Sequence, residues 1–410
     1  MQPLPGFRDF LPADCAARNY VFAQWRKVAQ RYGFREWDGP VLEPTELYRK
    51  KSGPEIVDQL FHFVDKGERE VAMRPELTPT LARVVAAHER SFKKPLKWFS
   101  IGQFFRYEKQ QRGRLREHYQ LNCDIIGESD SAADVELVAL CVDLLREFGF
   151  TERDVALRLS DREFWLDFLR QHNVPEAQWQ EVLQAIDKSE REPREKTAAK
   201  LGPLADEVFS IFEKGGTSEK LQRVVEGLRQ RGLEKFVEVD VQIVRGLAYY
   251  TGIVFEVFDR AGKLRAIAGG GRYDTLVSNL SDGAANLPAL GFAMGDVVLG
   301  GLIDDTPAAR QKRDAAMADE HSLDVYVVVA KEERRGDAAA WVQKLREQGL
   351  RVEFAMTPAK IPKQFQAAEQ LGARAAVLFG DEWPKVAVKD LASGKQEVVS
   401  ADDLLTTLAR

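Results

Sequence analysis

Between Trp98 and Gly127 the chain reads WFSIGQFFRYEKQQRGRLREHYQLNCDIIG. Apolar and aromatic residues crowd both ends of this stretch, and a polar loop of nine residues, Lys109 to Glu117, lies between them. The pattern predicts two strands, Trp98 to Glu108 and His118 to Gly127, paired as a long antiparallel hairpin. Side chains alternate along a strand, so Phe104, Arg106 and Glu108 share one face, while Phe105 and Tyr107 take the other. On the second strand His118, Gln120, Asn122 and Asp124 share a face opposite Tyr119, Leu121, Cys123 and Ile125. One side of the hairpin is therefore polar. A sheet with one solvated side has the same pattern, but the loop adds Lys109, Arg112, Arg114 and Arg116 within eight residues. Guanidinium forks in such a cluster suit phosphate oxygens.

Upstream of the hairpin, Ala17 to Tyr32 carries Val21, Phe22, Trp25, Val28 and Ala29 at helical spacing, with Gly33 where a C-cap glycine belongs. Phe34 to Val41 reads as extended chain, and Phe61 to Met73 as a hairpin around Lys66-Gly67-Glu68. Downstream, helical periodicity runs from Ala132 to Phe148. From about Thr151 to Lys235 the pattern is mainly helical and charged, and strand patterns return at Phe236 to Val244 and Ile253 to Phe258. A helical insertion of about 159–234 in a sheet-based domain follows. Leu264 to Leu299 is glycine-rich, and the polar segment Asp304 to Ser322 reads as a linker. Beyond it, strands at Val325 to Val329, Val352 to Phe354 and Ala375 to Phe379 alternate with helices at Ala338 to Gln348 and Pro362 to Leu371, which implies a small parallel sheet. The expected fold is α/β, of mixed α+β type: residues 1–320 form an antiparallel sheet flanked by helices, and 323–410 a small three-layer α/β domain. Two domains also suit 410 residues, beyond the ~250 to 300 at which one core stops growing.

An apolar fraction of 44% with 30% charged residues excludes a disordered chain. Met1 to Phe10 has no basic start leading into an apolar run, and no stretch approaches the ~18 apolar residues of a membrane span, so a cytoplasmic protein is expected. Cys15, Cys123 and Cys141 are far apart, which predicts neither a disulfide framework nor a metal site. A net charge of −5 does not advertise nucleic-acid binding, yet a local basic patch suffices for it. His62, His88, His172 and His321 are isolated and read as surface or packing residues, and Asp187 to Lys200 reads as a solvated helical face.

Two further segments carry candidate chemistry. Val244-Arg245-Gly246-Leu247-Ala248-Tyr249-Tyr250-Thr251-Gly252 lies between strand patterns, with glycines that permit a turn or a close approach to a ligand. Arg245 and Tyr250 are then candidates for a site wall, although an ordinary turn with packed tyrosines fits as well. Ala268-Gly269-Gly270-Gly271-Arg272-Tyr273-Asp274 and Gly291-Phe292-Ala293-Met294-Gly295-Asp296 place glycines where backbone approaches a ligand or other backbone.

Taken in order, Pro40, Arg74-Pro75-Glu76-Leu77-Thr78, Phe105-Arg106-Tyr107-Glu108, Arg114-Leu115-Arg116-Glu117-His118-Tyr119-Gln120, Arg245 to Tyr250, and Gly270-Gly271-Arg272-Tyr273-Asp274 resemble the signature of the histidyl-tRNA synthetases, of class II. Gly349-Leu350-Arg351-Val352-Glu353 and Leu371-Gly372-Ala373 are similar to the family's anticodon-binding domain. The resemblance covers nearly the whole chain and implies ligation of L-histidine to tRNA(His) through a histidyl-adenylate, with ATP and Mg²⁺, in a homodimer whose interface includes Gly33 to Pro44. It implies that Glu76, Thr78 and Gln120 hold the amino acid's ammonium and carboxylate, and that Asp124, Tyr249, Tyr250 and Tyr273 grip the imidazole. Arg106 and Arg245 would be catalytic, flanking the α-phosphate. Arg106, Glu108, Arg114, His118, Gly271, Arg272 and Gly295 would bind ATP, and Lys109 and Gln111 the tRNA acceptor end. No resident protein-bound metal is implied. The chain departs from the family pattern at Val298, where an arginine near the γ-phosphate is usual, at Ala248 in place of Asp, and at His118 in place of an adenine-stacking Phe. One alternative is the non-catalytic, histidine-binding regulatory paralogue of the ATP phosphoribosyltransferase, which normally lacks the C-terminal module. Another is a class II ligase for proline, threonine or glycine.

Overall fold

The computed structural model describes residues 2–52, 59–108, 113, 115–245 and 249–408, which form two compact units, Met1–Arg313 and Asp314–Arg410. Strands of the first unit are β1 (Arg35–Glu36), β2 (Leu42–Pro44), β3 (His62–Val64), β4 (Glu70–Met73), β5 (Leu96–Phe105), β6 (Glu117–Ile126), β7 (Val155–Asp161), β8 (Val237–Val239), β9 (Ile253–Asp259), β10 (Ala268–Arg272) and β11 (Ala289–Gly295). Eight of them make one mixed sheet in the order β1-β5-β6-β11-β10-β9-β7-β8, and β2-β4-β3 make a small second sheet.

The β5–β6 hairpin takes the second and third places in the large sheet, with Phe104 opposite His118, Gly102 opposite Gln120, Ser100 opposite Asn122 and Trp98 opposite Asp124. The alternation along β6 divides the molecule. Leu121, Cys123 and Ile125 join the main core with Trp25 and Val28 of the helix Pro12–Arg31 and Leu137, Val138 and Leu144 of the helix Ser131–Glu147. The even-numbered residues of β6 are left to the other face. There the helix Thr78–Ala87, with Leu81 and Val85, packs beside Tyr250, Val254 and Tyr273.

Three local expectations differ from the structure. Val155–Asp161 is strand β7, antiparallel to β9 and parallel to β8, although the surrounding region reads as helical. Its residues are almost all buried, so the strand lacks the apolar-polar alternation of a half-exposed one. β8 stops at Val239, because a turn in which Ile243 N–H donates to the Asp240 carbonyl at 3.1 Å takes the chain out of the ladder. The segment expected to be a linker is helical from Pro307 to His321; proline is tolerated in a helix's first turn, where its missing N–H has no partner to lose. Between β7 and β8 the helices Arg162–Gln171, Glu176–Asp187, Arg194–Leu201 and Ala205–Lys214 close their own core around Trp165, Leu169, Ile186 and Val208. The next helix, Glu219–Gln230, instead places Leu221, Val224 and Leu228 in the main core.

In the second unit β12 (Val325–Val329), β13 (Val352–Phe354), β14 (Ala375–Phe379), β15 (Lys385–Asp390) and β16 (Gln396–Ser400) form a sheet in the order β13-β12-β14-β15-β16. The pairs β12–β13 and β12–β14 are parallel, and β15 and β16 add an antiparallel edge. Val325, Val327 and Val329 face one apolar cluster, Tyr326 and Val328 the other. Both faces are covered, giving three layers. Among the described residues no helix is long and apolar enough to cross a membrane.

Candidate active site

The free face of the large sheet floors a cavity of about 1240 Å³. Four consecutive cavity-side residues of β6, namely His118, Gln120, Asn122 and Asp124, line it, joined by Glu76, Thr78, Arg106, Glu108, Arg245, Tyr249, Tyr250, Tyr273 and Gly295. Lys109, Gln111 and Arg114 lie outside the described residues, as do 246–248.

Two residues expected to bind ATP are placed elsewhere. Arg272 is fully buried, with Nη2 2.6 Å and Nε 3.1 Å from the Asp134 carboxylate and further bonds to the Glu128 and Asp130 carbonyls. It anchors the start of the helix Ser131–Glu147 and does not reach the cavity lining. Gly271 does not line the cavity either. A Cβ there would come within 2.6 Å of the Ile253 carbonyl oxygen and 2.7 Å of Val254, so that glycine lets β10 and β9 approach.

At one end of the floor the His118 ring lies 5.9 Å from Phe104. Burial, reinforced by the charges of Arg106 and Arg8, holds its pKa down at about 3. The imidazole is neutral near pH 7 and presents an uncharged flat surface. The adjoining backbone is fixed by contacts the sequence did not signal: Tyr119 N–H donates to Asp296 at 2.8 Å, and Arg8 bridges Asp296 at 3.0 Å and Glu117 at 2.7 Å. Asp296 therefore holds the strand, while Val298 behind it contributes an aliphatic patch to the wall.

At the other end the Tyr273 hydroxyl donates to Asp124 at 2.5 Å. Asp124 has room only because residue 291, its partner on β11, is glycine; a Cβ there would sit 2.0 Å from the carboxylate. Burial and the neighbouring Asp124 push the Tyr273 phenol well above its usual range, so it stays a donor. Tyr249 stands edge-on to Tyr273 at 6.1 Å and 4.8 Å from Tyr250. The result is an aromatic box around one buried acceptor.

Arg106 follows the end of β5, and its Nε donates to the Pro75 carbonyl at 3.0 Å, which ties the segment carrying Glu76 and Thr78 to the hairpin. Arg74 secures the same segment from below, bonded to Asp38 at 2.6 Å and to the Gly39 and Gln103 carbonyls. Arg245 adopts φ 58°, a left-handed conformation costly for a side chain other than glycine. Its guanidinium pairs with Glu256 on β9 and lies 5.7 Å over the Tyr250 ring. Residue 269, opposite Glu256, leaves the guanidinium its place by being glycine, because a Cβ there would lie 2.3 Å from Nη1 of Arg245 and push it aside. Glu256 escaped the sequence reading, although one carboxylate in the apolar run Ile253 to Phe258 was a visible signal. Among the described residues no group of three or more His, Cys, Asp or Glu is placed to hold a metal ion. Cys123 and Cys141 are buried, and that burial pushes both thiols upward.

Residues 6–296 match the family described as Histidyl-tRNA synthetase, and 324–410 match the anticodon binding domain family. The chain is 44% identical to a histidine–tRNA ligase of Opitutus terrae, over 95% of this chain and 93% of the relative. It is 39% identical to the chloroplastic/mitochondrial histidine–tRNA ligase of Arabidopsis thaliana, over 98% of this chain and 86% of that one. Its fold is similar to that of a histidyl-tRNA synthetase from Nostoc sp. PCC 7120, with a TM-score of 0.77, 24% identity, and 100% and 99% of the two chains covered. A Bacillus halodurans protein described as an ATP phosphoribosyltransferase regulatory subunit/histidyl-tRNA synthetase gives a TM-score of 0.69 at 20% identity over 90% and 96%. At these identities the structural likeness speaks for the fold alone.

Proposed function

The chain belongs to the histidyl-tRNA synthetase family, and from that premise we propose how its cavity carries out the ligation of histidine to tRNA. The carrying observation is that one cavity is lined both by the buried Asp124–Tyr273 pair and by Arg106 and Arg245. Asp124 accepts a ring N–H of histidine, and the phenols around it close the box. A site built on hydrogen bonds rejects analogues lacking them far better than an apolar pocket does. Glu76, Thr78 and Gln120 hold the ammonium and carboxylate, and His118 supports the adenine.

In the first step a histidine carboxylate oxygen forms a bond to the α-phosphorus of ATP and the bond to pyrophosphate breaks. An anion attacks an anion, so fixed positive charge and in-line placement carry most of the burden. Arg106 and Arg245 supply that charge, while Mg²⁺ arrives with ATP as part of the substrate and Glu108 is the carboxylate nearest Arg106 along the chain. In the second step a terminal ribose hydroxyl of tRNA(His) bonds to the activated carbonyl and AMP leaves, its phosphate taking the hydroxyl proton. Lys109 and Gln111 receive the acceptor end, and Arg114 helps hold the ATP tail. The second unit reads the anticodon. We propose further that the enzyme is a cytoplasmic homodimer joined around Gly33 to Pro44. The exposed apolar residues Val41, Leu42, Phe63 and Val64 on and beside the small sheet support this. The regulatory-paralogue reading is disfavoured by the C-terminal match over 324–410.

Exchange of labelled pyrophosphate into ATP is expected with histidine and not with proline, threonine or glycine. Histidine binding without exchange would leave the regulatory reading as the better account. Gly269→Ala is expected to displace the Arg245 guanidinium and lower this exchange by roughly 10- to 100-fold, because a misplacement near 1 Å costs about that much. Its melting temperature should stay near that of the wild type, since the displaced group is the far end of a flexible side chain. Unimpaired exchange by the variant would show that Arg245 need not occupy this position.

A further inference from the structure

Arg162 has no part in the mechanism above, yet it is only 4% exposed. It follows Asp161, the last residue of β7, and opens the helix Arg162–Gln171 of the insertion. Asp161 fixes that corner. One of its carboxylate oxygens accepts from Glu163 N–H at 3.0 Å and the other from the Ser218 hydroxyl at 2.6 Å, and the residue pairs with Ile253 at the start of β9. A guanidinium buried this deeply is costly unless its donors find acceptors. Here the acceptors include the main chain of the catalytic Arg245.

The main-chain N–H of Arg162 donates to the Gly252 carbonyl at 3.0 Å, and its Nη1 donates to the Arg245 carbonyl at 3.3 Å. One residue thus holds positions 245 and 252 together. Its Nη2 donates to Gln180 Oε1 at 3.2 Å, on the insertion helix Glu176–Asp187, whose Gln180, Gln184 and Asp187 line the same cavity. The grip falls on a residue that needs one. Arg245 has φ 58°, and a residue with a side chain keeps a left-handed backbone only where its surroundings over-determine it. Glu256 and the Tyr250 ring restrain the guanidinium end of Arg245, and Arg162 restrains the main-chain end.

We infer that Arg162 is a positioning residue for adenylate formation: by holding the Arg245 carbonyl it keeps that arginine in the conformation from which its guanidinium faces the α-phosphate, and through Gln180 it ties this placement to the helical insertion. The bond to Gly252 is made by the main chain and survives side-chain substitution, so a variant at 162 frees the Arg245 end alone. This rests on the reading of Arg245 as the arginine that faces the α-phosphate.

The test is histidine-dependent pyrophosphate exchange by wild type, Arg162→Met, Arg162→Lys and Gln180→Ala, each alone and combined with Arg245→Ala. Arg162→Met is expected to lower kcat by roughly 10- to 100-fold, as a misplacement near 1 Å does. Its KM for histidine should stay within about threefold of wild type, since the lost effect belongs to the reaction and not to substrate binding. Arg162→Lys keeps a charged donor and should recover part of the rate. With Arg245→Ala already present, Arg162→Met should cost less than about threefold, because the group it positions is gone, whereas a merely structural role would cost the same factor in both backgrounds. Equal factors in the two backgrounds, or an unchanged kcat in Arg162→Met, would overturn the proposal. Should Arg162→Met not fold, Gln180→Ala decides: a loss of about 3- to 10-fold in kcat that vanishes beside Arg245→Ala supports the proposal, and no loss, or one that persists there, sinks it. Arg245→Ala exchanging as fast as wild type would instead defeat the reading of Arg245 beneath it.

Discussion

Arg245→Ala is expected to lower the kcat/KM of histidine-dependent pyrophosphate exchange by about 1000-fold, in line with the loss of one preorganised group facing developing charge. The magnitude follows from how tightly the side chain is held. Its backbone sits at φ 58°, its guanidinium is paired with Glu256 and stacked over Tyr250, and Gly269 leaves the space it fills. A group restrained by several independent contacts loses little freedom when the phosphate arrives, so its removal is felt mainly in the reaction. Removing it also leaves Glu256, largely buried, facing the cavity as an uncompensated negative charge that repels ATP. Arg245→Lys keeps the charge without the fork and should fall between wild type and alanine. Exchange by the alanine variant within tenfold of wild type would remove Arg245 from the chemistry, and a thermal melt of each variant separates lost catalysis from lost structure.

How much of this was legible depends on what each residue answers to. The period of two along β6 was readable because its two faces meet different surroundings, a helix-covered core at Leu121, Cys123 and Ile125 and a cavity at His118, Gln120 and Asp124. The glycines from 269 to 271 were ambiguous for the opposite reason. Residues without side chains report only that something comes close, and in the structure the close neighbour is Arg245, the chain at Phe292, or the chain at Ile253. Arg272 reads as a phosphate ligand because an arginine beside glycines suggests phosphate, whereas its buried partner Asp134 lies far away in the sequence and only the fold brings the two together. β7 escaped since a strand buried on both faces offers no alternation. Arg8 was missed as a participant because it acts through contacts with Glu117 and Asp296, distant in the sequence, that no local pattern encodes.

Arg272→Met should destabilise the first unit by about 3 to 5 kcal/mol, the cost of breaking a buried ion pair from one side, and lower its melting temperature by roughly 5 to 15 °C. Both side chains are almost wholly buried, 0% exposed for Arg272 and 2% for Asp134. The arginine also holds the carbonyls of Glu128 and Asp130, the latter the N-cap of the helix Ser131–Glu147. Without Arg272, Asp134 keeps the burial that raises its pKa and loses the hydrogen bond and charge that lower it. A carboxyl whose folded pKa lies above its unfolded one binds more protons when folded, so stability is kept at low pH and lost as pH rises through the folded pKa. The deficit of Arg272→Met relative to wild type should therefore be smaller near pH 5 than near pH 8, measured by urea unfolding at both. Adding Asp134→Leu removes the stranded carboxyl, and the double variant should recover much of the loss, since apolar replacement of a whole buried pair is often neutral. A single variant as stable as wild type, but with weakened ATP affinity, would return Arg272 to the nucleotide site and contradict its placement beneath the sheet.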